Sequence, residues 1–180
     1  MRITVTAFEP FGGFNTNSSF TAISQLDDSI DKLILPVSYP DAYIYLKEHL
    51  KESDLIILLG MAASRKTISL EERARNILEF KIPDNSGLIL SNKTIDDTKD
   101  EYLYSQINID KLINELNSDI VTKSNDAGTF ICNYLYFSVL KDYQIPSIFI
   151  HIPNYQTEDE FKTLNNILNK IIKHLKGELY

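Results

Sequence analysis

Strand-length apolar runs alternate with stretches of helical periodicity along nearly the whole chain. That alternation limits the fold more than any other feature. "RITVTAF" (2–8) is β-branched and reads as a strand ending in the turn signal "EPFGG". A short helix follows in "NSSFTAISQLDD", with Asn17 or Ser18 as its cap. "KLILPVSY" (32–39) is a second apolar run. "PDAYIYLKEHLKES" enters a helix at a Pro and puts Tyr43, Leu46 and Leu50 on one face. "SDLIILLG" (53–60) is apolar enough for a strand buried on both faces of a parallel sheet.

The middle of the chain is less regular. "KTISLEERARN" mixes strand and turn signals, "IPDNSG" reads as a loop, and "GLILSNKTIDDTKD" as an exposed, polar-tipped extension. Regularity returns with the helix "NIDKLINELN", the strand "DIVTKSN" (119–125), the apolar helix "TFICNYLYFSVLKDY" and the strand "PSIFIHIP" (146–153). The last segment repeats Phe161, Leu164, Ile167, Leu168, Ile171, Ile172 and Leu175 at helical spacing. Thr157 and Glu160 form a capping box at its start. The pattern predicts one α/β domain over residues 1–180, with a largely parallel sheet between helical layers.

Composition narrows the function. A net charge of −7 with no dense Lys/Arg cluster argues against a nucleic-acid partner. No apolar run approaches the ~20 residues of a membrane span, and the apolar stretch at the N-terminus is too short for a signal peptide. The single cysteine cannot form an internal disulfide, which fits a cytoplasmic location. No Cys/His set has metal-ligand spacing, so a structural zinc site is not expected.

Chemistry centres on that cysteine. Cys132 follows Gly128 at the predicted start of a helix, where a thiol is either a small core residue or a nucleophile favoured as thiolate by the helix N-terminus. A thiol so activated is expected to react quickly with iodoacetamide at pH 6. Among three histidines, His49 and His174 lie on polar helices and read as solvated. His151 interrupts a central strand, and is either a satisfied core histidine or the base of a Cys–His dyad. A dyad needs a third group to orient the imidazole. Glu71 and Glu72 are both candidates, and their spacing does not choose between them.

Four stretches together resemble the pyroglutamyl peptidase I (pyrrolidone carboxyl peptidase) family. They are "FEPFGG" followed by Asn17, "GMAASRKTISLEERARN", "KIPDNSG", and "SNDAGTFICNY" with the later "FIHIP". "LPVSY" at 35–39 also suits it, and order and spacing agree to about residue 153. The resemblance implies a three-layer α/β/α sandwich with a twisted mixed sheet. It implies a cysteine peptidase that removes N-terminal pyroglutamate from peptides, needs no metal or organic cofactor and assembles as a homodimer or homotetramer. Carried over, Cys132 is the nucleophile, His151 the base and Glu71 the residue orienting it. Phe8 and Phe11 hold the lactam ring, and Asn17 lies near that pocket. The backbone around Cys132 and Lys81 serves the oxyanion. The chain departs from the family pattern where Lys81 replaces an Arg and where Glu72 and Arg73 follow Glu71. The alternative is an impaired or re-purposed homologue that binds, or hydrolyses, another small lactam or amide.

Overall fold

The structure is a computed structural model and describes residues 1–178. A six-stranded sheet has the order β2-β1-β3-β8-β4-β7. Strands β1 (Ile3–Phe8), β2 (Asp31–Leu35), β3 (Leu55–Met61) and β8 (Ser147–Ile152) run parallel. β4 (Ile68–Glu71) lies antiparallel to β8, and β7 (Val121–Ser124) pairs parallel with β4. The sheet is therefore mixed, as expected.

Every residue of β1, β3, β4 and β8 is buried, because helices cover both faces. One face packs Ala22 and Ile23 of α1 (Ser18–Ser24), Leu112 of α3 (Ile109–Leu116) and Leu164 to Leu175 of α5 (Glu158–Glu178) against Ile57, Ile150 and Leu70. The other packs Leu46 of α2 (Asp41–His49) and Leu135 to Leu140 of α4 (Ile131–Asp142) against Ile56, Leu58 and Phe149. The strict alternation along each strand decides which side chains meet which helical layer.

Local signals explain most ends. Asn17 caps α1 through its side-chain oxygen and the Ser19 N–H. The capping box is formed: Thr157 N–H and hydroxyl both donate to Glu160 Oε2, and Glu160 N–H donates to Thr157 Oγ1. The irregular middle folds onto a small antiparallel pair, β5 (Arg73–Arg75) and β6 (Tyr102–Tyr104). The mostly exposed 88–101 segment contains neither helix nor strand. Asn76 staples it, donating to the carbonyls of Asp96, Lys99 and Asp100 and accepting from the N–H groups of Ile95 and Asp96. His49 is exposed and stacks on Tyr45, as expected. His174 departs from its solvated reading: it is half-buried, facing the groove between α5 and α3 beside Leu116 and Lys170.

Candidate active site

Strand register builds the polar half of the site. In the β4–β8 pair, Glu71 lies opposite Phe149, and His151 is two residues further along β8 on the same face. That diagonal is within reach of a long side chain. Glu71 Oε1 accepts from His151 Nδ1 at 2.7 Å. Both groups are withdrawn from water, at 0% exposure for Glu71 and 4% for His151. Glu72, one residue on, is half-exposed and pairs instead with Lys123 at 3.3 Å. The period of two separates the two glutamates that spacing alone could not.

The carboxylate has a second partner that sequence reasoning missed. Arg65, in the loop after β3, places Nη1 2.6 Å from the same Glu71 oxygen. Its Nη2 donates to the Asp126 carbonyl at 2.7 Å. Nothing local in "ASRKT" distinguishes this arginine from a solvated one. Only the packing of its loop against the turn before α4 reveals it. Tyr136 hydroxyl donates to the Glu71 backbone carbonyl at 3.0 Å, fixing the strand end from below.

The thiol arrives from α4. Asp126 Oδ1 accepts from Gly128 N–H, and Gly128 takes φ +79°, a left-handed turn that suits glycine. Phe130 precedes the helix and no side chain caps it, so Cys132 sits in a first turn with backbone N–H groups uncommitted to a cap. Gly60 makes the room. It pairs with His151 across β3 and β8, and a Cβ there would lie 2.9 Å from Cys132 Sγ. Strands are about 4.8 Å apart, so the sulfur and the imidazole meet on one sheet face beside the same gap.

Electrostatics correct one expectation. The sequence predicts a thiol made acidic by the helix N-terminus. In the structure burial pushes the Cys132 thiol up to about 12, with the Glu71 charge adding to the rise and Arg65 opposing it. Desolvation also lowers His151 below its ordinary value, against the pull of Glu71. Burial thus opposes both charged forms, thiolate and imidazolium, and works against the fast alkylation at pH 6 that a helix N-terminus alone would favour.

A small cleft opens beside the sulfur at the C-terminal ends of β1 and β3, where the strand order reverses direction. Ligands bind α/β sheets at such points. Phe8, Phe11, Asn17, Met61, Phe130 and Cys132 line it, together with Val37 and Ile131. Phe130, which the sequence reading did not single out, faces Phe11 with ring centroids 5.9 Å apart. Asn17 reaches the cleft, but its amide is committed to the Glu9 carbonyl and to Ser19. Lys81 is exposed and does not line the cleft. Asn85 ties the two loops at its rim, donating to Glu9 Oε1 at 2.8 Å and to the Pro10 carbonyl at 3.0 Å.

Comparison with known proteins agrees with this geometry. The sequence model of the pyroglutamyl peptidase family matches residues 1–176. The pyrrolidone-carboxylate peptidase of Thermosipho africanus is 32% identical, covering 99% of this chain and 97% of its own length. That of Brachyspira hyodysenteriae is 35% identical, over 88% of this chain and 85% of its own. A variant of the pyrrolidone carboxyl peptidase of Pyrococcus furiosus superposes with a TM-score of 0.88 at 29% identity, covering 100% of both chains. The enzyme of Fervidobacterium islandicum superposes with a TM-score of 0.87 at 26% identity, over 98% of this chain and 99% of its own. With its mixed sheet, buried Glu–His pair and cleft-side thiol, this chain belongs to the pyroglutamyl peptidase family.

Proposed function

We propose that the protein is a cysteine peptidase that removes N-terminal pyroglutamate from peptides, with Cys132 as nucleophile, His151 as base and Glu71 orienting the imidazole. The carrying observation is the buried 2.7 Å contact between His151 and Glu71, on the sheet face to which α4 delivers Cys132.

With Nδ1–H donated to the carboxylate, Nε2 of His151 is the basic nitrogen. It takes the Cys132 proton as the sulfur attacks the carbonyl that joins pyroglutamate to the next residue. The resulting oxyanion accepts from the Cys132 backbone N–H, a donor of a kind worth roughly 3 kcal/mol. The imidazolium then protonates the leaving amine, and the C–N bond breaks to leave a thioester. His151 next takes a proton from water, whose attack releases 5-oxoproline and restores the thiol.

The cleft suits the substrate's neutral ring. No charged side chain lines it, so a charged N-terminal amine would be desolvated without a partner. A flat ring stacked between Phe11 and Phe130 needs roughly 7 Å between them, twice an ordinary contact distance. At 5.9 Å the rings must part on binding. Phe130 is braced edge-on by Phe80 at 4.8 Å, whereas Phe11 is followed by Gly12 and Gly13, both at positive φ. Phe11 is therefore the side that opens. Lys81, exposed beside this loop pair, assists the oxyanion only through its backbone segment.

No described helix is long and apolar enough to cross a membrane. The reading adds that residues 1–180 act as one peptidase domain, in the cytoplasm, as a homodimer or homotetramer. Release of a fluorescent amine from a pyroglutamyl amide, by wild type and Cys132→Ala with a reductant present, tests it. Turnover lost in the variant supports the peptidase. A folded but inactive wild type would support the impaired or re-purposed homologue instead.

A further inference from the structure

We propose that Arg65 is a positioning residue that lets Glu71 orient His151 without protonating it, while bracing the turn that delivers Cys132. The inference rests on the peptidase reading above for its kinetic arm only.

The geometry is a fork. One guanidinium nitrogen lies 2.6 Å from Glu71 Oε1, and the other donates to the Asp126 carbonyl at 2.7 Å. Asp126 belongs to the Ser124–Gly128 turn: its N–H donates to the Ser124 hydroxyl at 3.2 Å and its carboxylate accepts from the Gly128 N–H at 3.0 Å. Three residues after that turn, α4 begins and carries the nucleophile. Arg65 is itself pinned, its N–H bonding the Ala62 carbonyl while Ala62 N–H bonds Ile152 at the end of β8. The Arg65 side chain thus joins the strand that holds the acid to the turn that leads into the thiol's helix, while its backbone is tied through Ala62 to the end of the strand that holds the base.

Arg65 also shares one oxygen with the imidazole. Arg65 Nη1 and His151 Nδ1 both meet Oε1 of Glu71, while buried Oε2 has no hydrogen bond. The buried Glu71 carboxylate favours the imidazolium, a form that cannot act as a base. A fixed cation on the same oxygen balances that charge. The groups facing His151 are Glu71 and Asp126, which favour its protonation, and Arg65, which opposes it, with Cys132 on the same sheet face. A lysine could supply the charge but not both bonds, since an ammonium is a point charge and not a planar fork.

Arg65→Gln and Arg65→Lys test this, by two readouts. One is the titration of the His151 imidazole followed by NMR, which needs no substrate. The other is the pH profile of kcat and KM on a pyroglutamyl amide. In Arg65→Gln, His151 should titrate at higher pH than in wild type. The acid limb of kcat/KM should move with it, and kcat should fall roughly 100-fold, as for a reacting group displaced by about 1 Å, with KM little changed. Arg65→Lys should return the His151 titration toward wild type yet leave kcat low. An unmoved titration in Arg65→Gln, or full kcat in Arg65→Lys, overturns the proposal. If Arg65→Gln does not fold, the Lys variant decides by the same kcat criterion and by its His151 titration. A wild type without turnover sinks the peptidase reading, and the NMR arm still decides Arg65.

Discussion

Gly60→Ala should damage both stability and turnover, because one added methyl has no free place to go. Its Cβ would lie 2.7 Å from Phe149 Cζ and 2.9 Å from both Phe149 Cε1 and Cys132 Sγ. Carbon atoms in ordinary contact are about 3.5–4.0 Å apart, so the neighbours must retreat by about 1 Å. Phe149 cannot swing aside. It is fully buried, with Tyr136 at 5.7 Å and His151 at 4.7 Å between ring centroids. Overpacking of this kind costs about 1–3 kcal/mol. For a chain of this size that is a fall in Tm of roughly 5 °C. The strain falls on Cys132 and, through Phe149, on His151, and a misplacement of about 1 Å costs on the order of 100-fold in rate. The assay is a thermal melt beside kcat and KM on a pyroglutamyl amide. Gly177→Ala in α5 is the control, since its Cβ would meet nothing within 4 Å. A Gly60→Ala protein with wild-type Tm and kcat would refute the claim that this glycine makes the room for the thiol.

Other expectations follow from the same contacts. Glu71→Gln keeps a hydrogen-bonding oxygen near His151 but removes the charge, so the acid limb of kcat/KM should move to lower pH while kcat falls; a pH–rate series checks both. Because His151 is lowered in the folded protein, the unfolded chain takes up its proton first as pH falls. Stability should therefore decline as pH drops below about 6.5 and be flatter there in His151→Phe, which denaturant melts at several pH values will read. Cys132 behaves in the opposite sense: raised to about 12, it should cost stability as pH climbs above about 8.5, where only the unfolded thiol ionises. Cys132→Ser should remove that alkaline slope. Asn85→Ala unhooks the two rim loops at Glu9 and Pro10, and should raise KM more than it lowers kcat, at about 2 kcal/mol of stability read from a thermal melt.

The parts of the fold that sequence made legible are those whose signal is local. β1, β3 and β8 announce themselves as β-branched or apolar runs because both faces are buried. α5 does so through its periodic apolar face and capping box. β4 was hidden, since four residues ending beside two glutamates carry too little pattern to separate strand from turn. Its antiparallel direction depends on which strand it lands beside, a long-range outcome that no local stretch encodes.

The site divides in the same way. Cys132, His151, Phe8, Phe11 and Asn17 carry recognisable neighbours in sequence, and the structure brings them to one end of the sheet. Lys81 matched a motif position, yet it is exposed and is not among the residues that line the cleft. Arg65 and Phe130 were missed because their importance comes from what packs against them. The thiol's surroundings divide in the same way: a helix N-terminus is readable in sequence, but the desolvation that opposes its ionisation is not.

The central claim is that Cys132 attacks the pyroglutamyl carbonyl. Its most direct test is to quench wild-type enzyme in acid during turnover of a pyroglutamyl amide and map the acyl group by mass spectrometry. The account predicts a pyroglutamyl thioester on the peptide that contains Cys132, and its loss in His151→Ala, where the base that acylation needs is gone. Undiminished turnover by Cys132→Ala, or an acyl group carried by any other residue, would contradict it.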